Sequence, residues 1–128
     1  MRRLRRNECR QTLGAEISLL QDDIERAKLL SGTILAKQVR QEKSSVSLAE
    51  VEFSVFSQFG DDGIIQYLVS HIDIQDRSFI EFGVETYREA NTRFLLLHDN
   101  WRGLIMEGNR AAVDEIWKSD RNRSAGYA

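Results

Sequence analysis

The most regular apolar pattern in the chain is a helical one near its start. Apolar residues recur there at steps of three or four, as on one face of an α-helix: Leu13, Ile17, Leu20, Ile24, Ala27, Leu30 and Ile34. Charged and polar residues fill the positions between them. The pattern predicts a long amphipathic helix over residues 13–34. Two interpretations stay open, namely a short coiled coil or partner-binding helix and a helix that packs on its own domain.

A second helix is predicted after a polar linker at residues 41–47 and a turn at Gly60–Gly63. The helix is expected to run to about Ile72. Its predicted apolar face consists of Ile64, Ile65, Leu68, Val69 and Ile72. Asp61 or Asp62 is expected to cap the first turn by accepting hydrogen bonds from its free amides.

The stretch that follows alternates between strand and helix patterns. Residues 79–84 predict a short buried strand, residues 88–98 a helix, and residues 104–106 a second strand that ends at Glu107. The inward side of the helix is predicted to hold Phe94, Leu95 and Leu97, and Thr86 and Glu89 have the spacing of a capping box. Strand, helix and strand form a βαβ unit, whose strands are expected to be parallel with a right-handed crossover.

The predicted fold class is α/β, with an incomplete Rossmann-like parallel sheet preceded by a long N-terminal helix. A last helix is predicted at residues 110–118, and residues 119–128 lack periodicity and are expected to be a disordered tail. Two strands are too few for a parallel sheet, which needs both faces covered and its edges paired. We therefore expect residues 1–45 to form a basic terminus, helix and linker, and residues 46–118 to form the N-terminal half of a larger domain.

Composition limits the classes of protein to consider. The chain has 128 residues, which suits one domain. No apolar run approaches the ~18 residues that span a bilayer, and the single cysteine, Cys9, excludes an internal disulfide, so we expect a cytoplasmic protein without a membrane span. The basic start, residues 1–6, has no aromatic residue interleaved for stacking. It is interpreted as a solvated terminus, and no nucleic-acid partner is expected.

The candidate chemistry lies at the carboxyl ends of the two predicted strands, where α/β sheets bind ligands. Glu107 follows Gly83 by 24 residues, close to the spacing of the acid that binds ribose in nucleotide-binding βαβ units. Glu85 and Tyr87 stand where a dinucleotide loop has its second and third glycines, and Glu85 would repel a phosphate. Carboxylates at Glu81, Glu85 and Glu107 therefore favour S-adenosylmethionine, which carries a sulfonium, an ammonium and a ribose but no phosphate, over NAD.

Each of these residues also has a purely structural explanation. Glu107 taken alone is an ordinary exposed carboxylate at a strand end, and a lone Gly83 is a weak signal. Asp61 and Asp62 have no histidine or third acid nearby in the sequence, so no metal site is predicted. His71 and His98 are expected at helix ends or on the surface, and no catalytic residue is assigned.

Four segments resemble FkbM-type and related S-adenosylmethionine-dependent methyltransferases. They are residues 57–68 (SQFGDDGIIQYL), 79–85 (FIEFGVE), 91–96 (NTRFLL) and 101–108 (WRGLIMEG), and the resemblance spans about residues 53–118. It implies a class I methyltransferase with a seven-stranded sheet, of which the chain would hold the first half. On this resemblance Glu81 and Gly83 match the cofactor motif, Glu107 matches the ribose acid, and the turn that begins at Ser57 and Gln58 belongs to the cofactor cleft. Glu85 and Tyr87 depart from the family's glycines.

Two functions of different classes follow. The first is a partial S-adenosylmethionine-dependent methyltransferase that methylates an oxygen of a sugar or other small metabolite. The alternative is a non-catalytic interaction protein that uses the residue 13–34 helix for self-association, as a homo-oligomer, or for partner binding. A third and weaker hypothesis is an NAD-binding oxidoreductase, which Glu85 in the phosphate position disfavours.

Overall fold

A computed structural model describes residues 2–43 and 45–124, with the side chains of residues 10–43 and 45–119. The described chain is mixed α/β. Its elements in order are α1 (Arg2–Val39), a 3₁₀ turn (Leu48–Glu50), α2 (Asp61–His71), β1 (Ser78–Phe82), α3 (Arg93–His98), β2 (Arg102–Met106) and α4 (Arg110–Ser124). No helix in this part of the chain is long and apolar enough to cross a bilayer.

The two strands form a small parallel sheet, as predicted, but β1 ends at Phe82 and not at residue 84, and β2 begins at Arg102 and not at residue 104. Ser78 pairs with Arg102 and Phe82 with Met106 at the two ends of the register. The pairing continues past β1, because the amide of Gly83 donates to the carbonyl of Met106 at 2.9 Å. The carboxyl ends of both strands therefore lie side by side, and the residues that follow them share one edge of the sheet.

The two faces of this sheet differ in how they are covered. Phe79 and Ile105 are partly buried on one face, where Ile105 packs near Val84 and Tyr87 with Ile116 of α4. The other face is apolar and more than half accessible at Ile80, Phe82, Leu104 and Met106, so the prediction that the first strand is buried is wrong for this face. Alternation along each strand produces this division, since successive side chains point to opposite faces.

The main core lies among the helices, away from the sheet. Ala36 near the end of α1 packs with Val55, Phe56 and Phe94, and Phe94 is only 1% exposed. A neighbouring cluster joins Val39, Val51 and Tyr67. The last third of α1 therefore forms one core with the 51–57 segment, α2 and α3.

The long N-terminal helix is confirmed and extends beyond the predicted residues 13–34 to Arg2–Val39, but its apolar stripe does not face the domain. Leu13, Leu20 and Ile24 are 54%, 61% and 59% exposed, and Ile34 is also exposed. The buried side of α1 instead holds Gly32, Ala36 and Val39. Successive residues of an α-helix are rotated by about 100° around its axis, so the centre of the stripe lies roughly 140° around the axis from the centre of this buried side. Small residues make the contact because they allow the 51–57 segment and α3 to approach closely.

The predicted helix between the strands is too long. α3 ends at His98 as expected but begins at Arg93, not at residue 88. The predicted capping box is wrong, since Thr92 and not Thr86 precedes the first helical residue. The carboxylate of Glu81 accepts hydrogen bonds from the amides of Asn91 and Thr92, so these amides are satisfied without a preceding helical turn.

α2 has the predicted length but buries a different face. Gly63, Gln66 and Tyr67 are buried, whereas Leu68 and Ile72 of the predicted apolar face are exposed. Gln66 is buried because it is hydrogen-bonded on both sides. Its Oε1 accepts from Arg40 at 2.8 Å, and its Nε2 donates to the carboxylate of Asp99.

Asp62 does not cap the helix that contains it. Its Oδ2 accepts hydrogen bonds from the amides of Val55, Phe56 and Ser57 at 2.7 to 2.8 Å, and from the Ser57 hydroxyl. The residue before the helix is Gly60, which makes no side-chain cap. Asp62 therefore fixes the preceding loop against α2, a contact between segments that a local capping rule does not anticipate.

α4 extends further than predicted. It continues to Ser124, so residues 119–124, expected to be disordered, are helical, and residues 125–128 lie outside the described residues. Helical backbone can continue here because no proline interrupts it. Ala112 is buried, while Val113 and Ile116 are partly buried.

Candidate functional site

The structure brings four of the five predicted site residues together. Gly83 and Glu85 follow β1, Glu107 follows β2, and Glu81 lies within β1 next to Phe82. The contact that joins the two ends is direct, because the amide of Glu85 donates to Oε2 of Glu107 at 2.7 Å. This edge of the sheet thus carries three acidic residues, and the backbone of Glu85 is bonded to the carboxylate of Glu107.

Glu107 is held by the backbone and stays ionised. Besides Glu85, the amide of Asn109 donates to its Oε1 at 2.8 Å. These hydrogen bonds, the one from Asn109 foremost, hold the pKa of the Glu107 carboxyl below its usual value of 4.5. A carboxylate offers about four acceptor positions, and the side chain is partly exposed, so Glu107 keeps acceptor capacity toward solvent.

Glu81 is turned toward the loop between β1 and α3. Its Oε1 accepts from the amide of Asn91 at 3.0 Å, and its Oε2 accepts from the amide of Thr92 at 3.1 Å and from the Thr92 hydroxyl. Three of its acceptor positions are therefore occupied within the chain. The chief effect of this carboxylate in the described residues is to fix the start of α3.

The loop after β1 has an unusual backbone. Gly83, Glu85 and Tyr87 have φ values of 69°, 49° and 60°, so three alternate residues adopt the left-handed conformation. Glycine does so without strain, whereas an ordinary side chain raises the energy by about 1–2 kcal/mol. A Cβ added at Gly83 would meet nothing within 4 Å, so the backbone there is open to a ligand. Strained residues of this kind concentrate at functional sites.

Gln58 lies beside this loop and away from the strand ends. Its Nε2 donates to Oε2 of Glu89 at 3.0 Å, and its side chain is exposed. The segment before α2 is thereby tied to the middle of the β1–α3 loop. Gln58, the fifth predicted site residue, therefore contacts the loop and none of the other four.

A buried polar chain behind the loop was not predicted from the sequence. The Tyr87 hydroxyl and the Thr92 hydroxyl are 3.0 Å apart, and Nη1 of Arg93 donates to the carbonyl of Tyr87 at 2.6 Å. Nη2 of Arg93 forms an ion pair with Glu25 of α1 at 2.8 Å. Burial raises the pKa of the Tyr87 phenol above 10.0. The sequence contains one indication of these contacts, namely the position of Arg93 directly before Phe94 in an apolar segment, where a charged side chain needs a partner.

The histidines lie where they were expected. His71 is the last residue of α2, and His98 is the last residue of α3. His98 stacks on Phe94 with ring centroids 4.7 Å apart, and its Nδ1 is 3.0 Å from Asp99. Neither histidine is among the residues at the strand ends. Within the described chain, no three histidine, cysteine or acidic side chains are grouped so that they could hold a metal ion.

Comparison with known proteins identifies no relative of this chain. No protein-family model, no curated protein and no solved structure matches the chain.

Proposed function

We propose that the chain contains the cofactor-binding half of an S-adenosylmethionine-dependent methyltransferase, with its two strands belonging to a Rossmann-like parallel sheet. The observation that carries this proposal is the arrangement at the carboxyl ends of β1 and β2. There the ionised Glu107 keeps free acceptor positions beside an open left-handed turn at Gly83. Ligands of parallel α/β sheets bind at this edge.

The residues present fit this cofactor in chemical terms. Glu107 would accept hydrogen bonds from the two ribose hydroxyls, and Gly83 would let the ligand approach the backbone. Glu85 is exposed and carries the negative charge that a sulfonium or ammonium group favours. A pyrophosphate would face Glu85 and Glu107 together, which disfavours NAD.

When bound, S-adenosylmethionine supplies an electrophilic methyl group to an oxygen of the acceptor, here proposed to belong to a sugar or other small metabolite. The chain's own contribution is to bind and orient. Glu81 fixes the loop through Asn91 and Thr92, and Glu107 fixes Glu85. These contacts hold the site in shape before a ligand arrives, which reduces the ordering that binding requires.

The test is a titration of the ¹⁵N-labelled chain with S-adenosylhomocysteine, followed by amide resonances. Saturable shifts are expected at Glu85, Glu107 and Asn109, and Glu107→Gln is expected to weaken binding at least tenfold. Glu16→Gln, which removes the same charge from an exposed position on α1, is the matched control and should bind like the parent chain. No saturable shift at millimolar ligand, or a stronger response to NAD at the same amides, would overturn the proposal.

A second candidate function is self-association or partner binding through α1. The observation in its favour is the exposed stripe that contains Leu13, Ile17, Leu20 and Ile24, turned away from the domain. We infer that a second copy of α1 packs on this stripe. Two helices that share such a seam bury it from water, which is the main stabilising contribution in a coiled coil.

Sedimentation velocity tests this second candidate. The parent chain is expected to sediment as an oligomer, and the double substitution Leu20→Lys with Ile24→Lys is expected to make it monomeric. Ser18→Lys with Gln21→Lys adds the same charge on another side of the helix and should leave the oligomer intact. A parent chain that stays monomeric across the accessible concentrations would contradict self-association.

A further inference from the structure

A cavity of about 450 Å³ lies between the covered face of the sheet and α4. Phe79 and Ile105 form the sheet side, and Val113 and Ile116 form the helix side, with Trp117 beside them. The volume falls within the range of small-molecule sites, roughly 300–1,000 Å³, whose walls are mostly apolar with a few polar groups. The cavity lies under the sheet face and borders the proposed cofactor site at Glu107, whereas Glu81, Gly83 and Glu85 do not line it.

One polar group in the cavity wall lacks a partner. Arg93 is only 7% exposed, and both of its terminal nitrogens are used, by the Tyr87 carbonyl and by Glu25. Its Nε–H is buried and has no hydrogen-bond partner. A buried donor without an acceptor destabilises a structure by about 1–3 kcal/mol and is rare in folded proteins. Nε has almost no accessible surface, so an acceptor atom of a ligand in the cavity would satisfy it after a small turn of the Arg93 side chain.

The charges around the cavity select the kind of acceptor. The positive charge of Arg93 is already matched by Glu25 at 2.8 Å, and Glu107 also lines the cavity. An acidic ligand would therefore meet two carboxylates for one guanidinium. A neutral oxygen satisfies Nε–H without that repulsion, and a flat ring suits apolar walls formed by a sheet and a helix.

We infer that this cavity binds a small neutral aromatic molecule whose carbonyl, ether or hydroxyl oxygen accepts a hydrogen bond from Nε of Arg93. The inference does not depend on cofactor binding, since the cavity and the unpartnered Nε–H of Arg93 are present whether or not Glu107 binds a ribose. The ring would lie between Ile105 and Ile116, and its oxygen would point toward Arg93.

The experiment uses three probes of similar size on the ¹⁵N,¹³C-labelled full chain. Acetophenone is neutral and has an acceptor, benzoate carries a charge, and ethylbenzene lacks an acceptor. The side-chain Nε–H resonance of Arg93 reports on the bond directly. Acetophenone is expected to shift it saturably, with benzoate and ethylbenzene at least tenfold weaker. Nuclear Overhauser effects from the acetophenone ring to the methyl groups of Ile105 and Ile116 are expected as well.

A cavity-filling variant supplies the control. Val113→Phe is expected to abolish the acetophenone response, whereas Ala111→Phe, an equally large ring at an exposed position of the same helix, should preserve it. The inference is overturned if acetophenone produces neither a saturable Arg93 shift nor contacts to Ile105 and Ile116 in the parent chain. It is also overturned if benzoate binds as tightly as acetophenone. Each proposal has its own probe, acetophenone for the cavity and S-adenosylhomocysteine for the strand ends, so failure of one proposal is distinguishable from failure of the other.

Discussion

Single residues in the β1–α3 loop carry the strain and the charge of the candidate site. Glu85 and Tyr87 occupy the left-handed region without being glycines. Glu85 is held there through its amide by Glu107, and Tyr87 through its carbonyl by Arg93. The surrounding hydrogen bonds therefore impose a backbone shape that the side chains alone would not choose.

Replacing Glu85 with glycine tests that strain. Glycine removes the left-handed penalty of about 1–2 kcal/mol but adds about 0.5–1 kcal/mol of backbone entropy to the unfolded chain. Glu85→Gly is therefore expected to raise the free energy of unfolding by up to about 1 kcal/mol in urea denaturation. Asn91→Gly, in the same loop but at negative φ, should lower it. Equal effects of the two substitutions would show that the left-handed conformation is not the cause.

The protonation of Glu107 predicts a pH dependence. Its folded pKa lies below its unfolded value of about 4.5, so its stabilising contribution is complete above that pH and is lost as pH falls through the folded pKa. NMR titration is expected to show the Glu107 carboxyl and the amides of Glu85 and Asn109 changing together, below pH 4.5. In Glu107→Gln this shared transition should disappear. Amide transitions that persist in the variant would assign the effect to another group.

At the scale of elements, α1 lies in two environments, the core of the domain and the solvent. Its last third is part of the core, and its preceding turns carry the exposed stripe. The two glycines of the predicted helical segment fall in these different regions. Gly14 has open space around it, whereas a Cβ on Gly32 would lie 2.5 Å from Cγ2 of Val55 and 2.9 Å from the Phe94 ring.

Alanine at these two glycines is therefore expected to have opposite effects. Gly14→Ala should stabilise by up to about 1 kcal/mol, the difference in helix propensity. Gly32→Ala should destabilise by about 1–3 kcal/mol, because the added methyl overpacks the contact with Val55 and Phe94. Helix content from circular dichroism and urea denaturation measure both. Stabilisation by Gly32→Ala would mean that α1 does not pack on this core.

Across the whole molecule, polar contacts connect segments that are distant in sequence. Arg93 reaches Glu25 of α1, and Gln66 of α2 links Arg40 to Asp99. Such buried groups are stabilised only while each partner is present. They make the position of α1 depend on α2 and α3.

A double-mutant cycle measures the Arg93–Glu25 connection. Arg93→Met, Glu25→Leu and the double variant are expected to give a coupling energy of about 1–2 kcal/mol, below the range for fully buried pairs because the Glu25 side chain is 34% exposed. The exposed pair Arg26–Asp23, treated in the same way with Arg26→Met and Asp23→Leu, should give at most about 0.5 kcal/mol. Similar coupling in both cycles would contradict a structural role for Arg93.

The sequence by itself determined the type and order of the elements. The periodic residues from Leu13 to Ile34, the short apolar runs that became β1 and β2, and the parallel pairing all follow from local spacing and from the length of the crossover. The sequence also indicated which residues would meet at one edge of the sheet. Glu81, Gly83, Glu85 and Glu107 are near one another because parallel strands bring their carboxyl ends together.

Only the tertiary structure decided which faces are buried and how the loop runs. Gly32 and Ala36 pack where the larger stripe does not, Gln66 is buried between Arg40 and Asp99, and Oδ2 of Asp62 is buried against the amides of the preceding loop. The β1–α3 loop stays out of the helix because Glu81, ten and eleven residues earlier, binds the amides of Asn91 and Thr92. Periodicity describes one segment at a time, whereas these outcomes depend on partners that another segment provides.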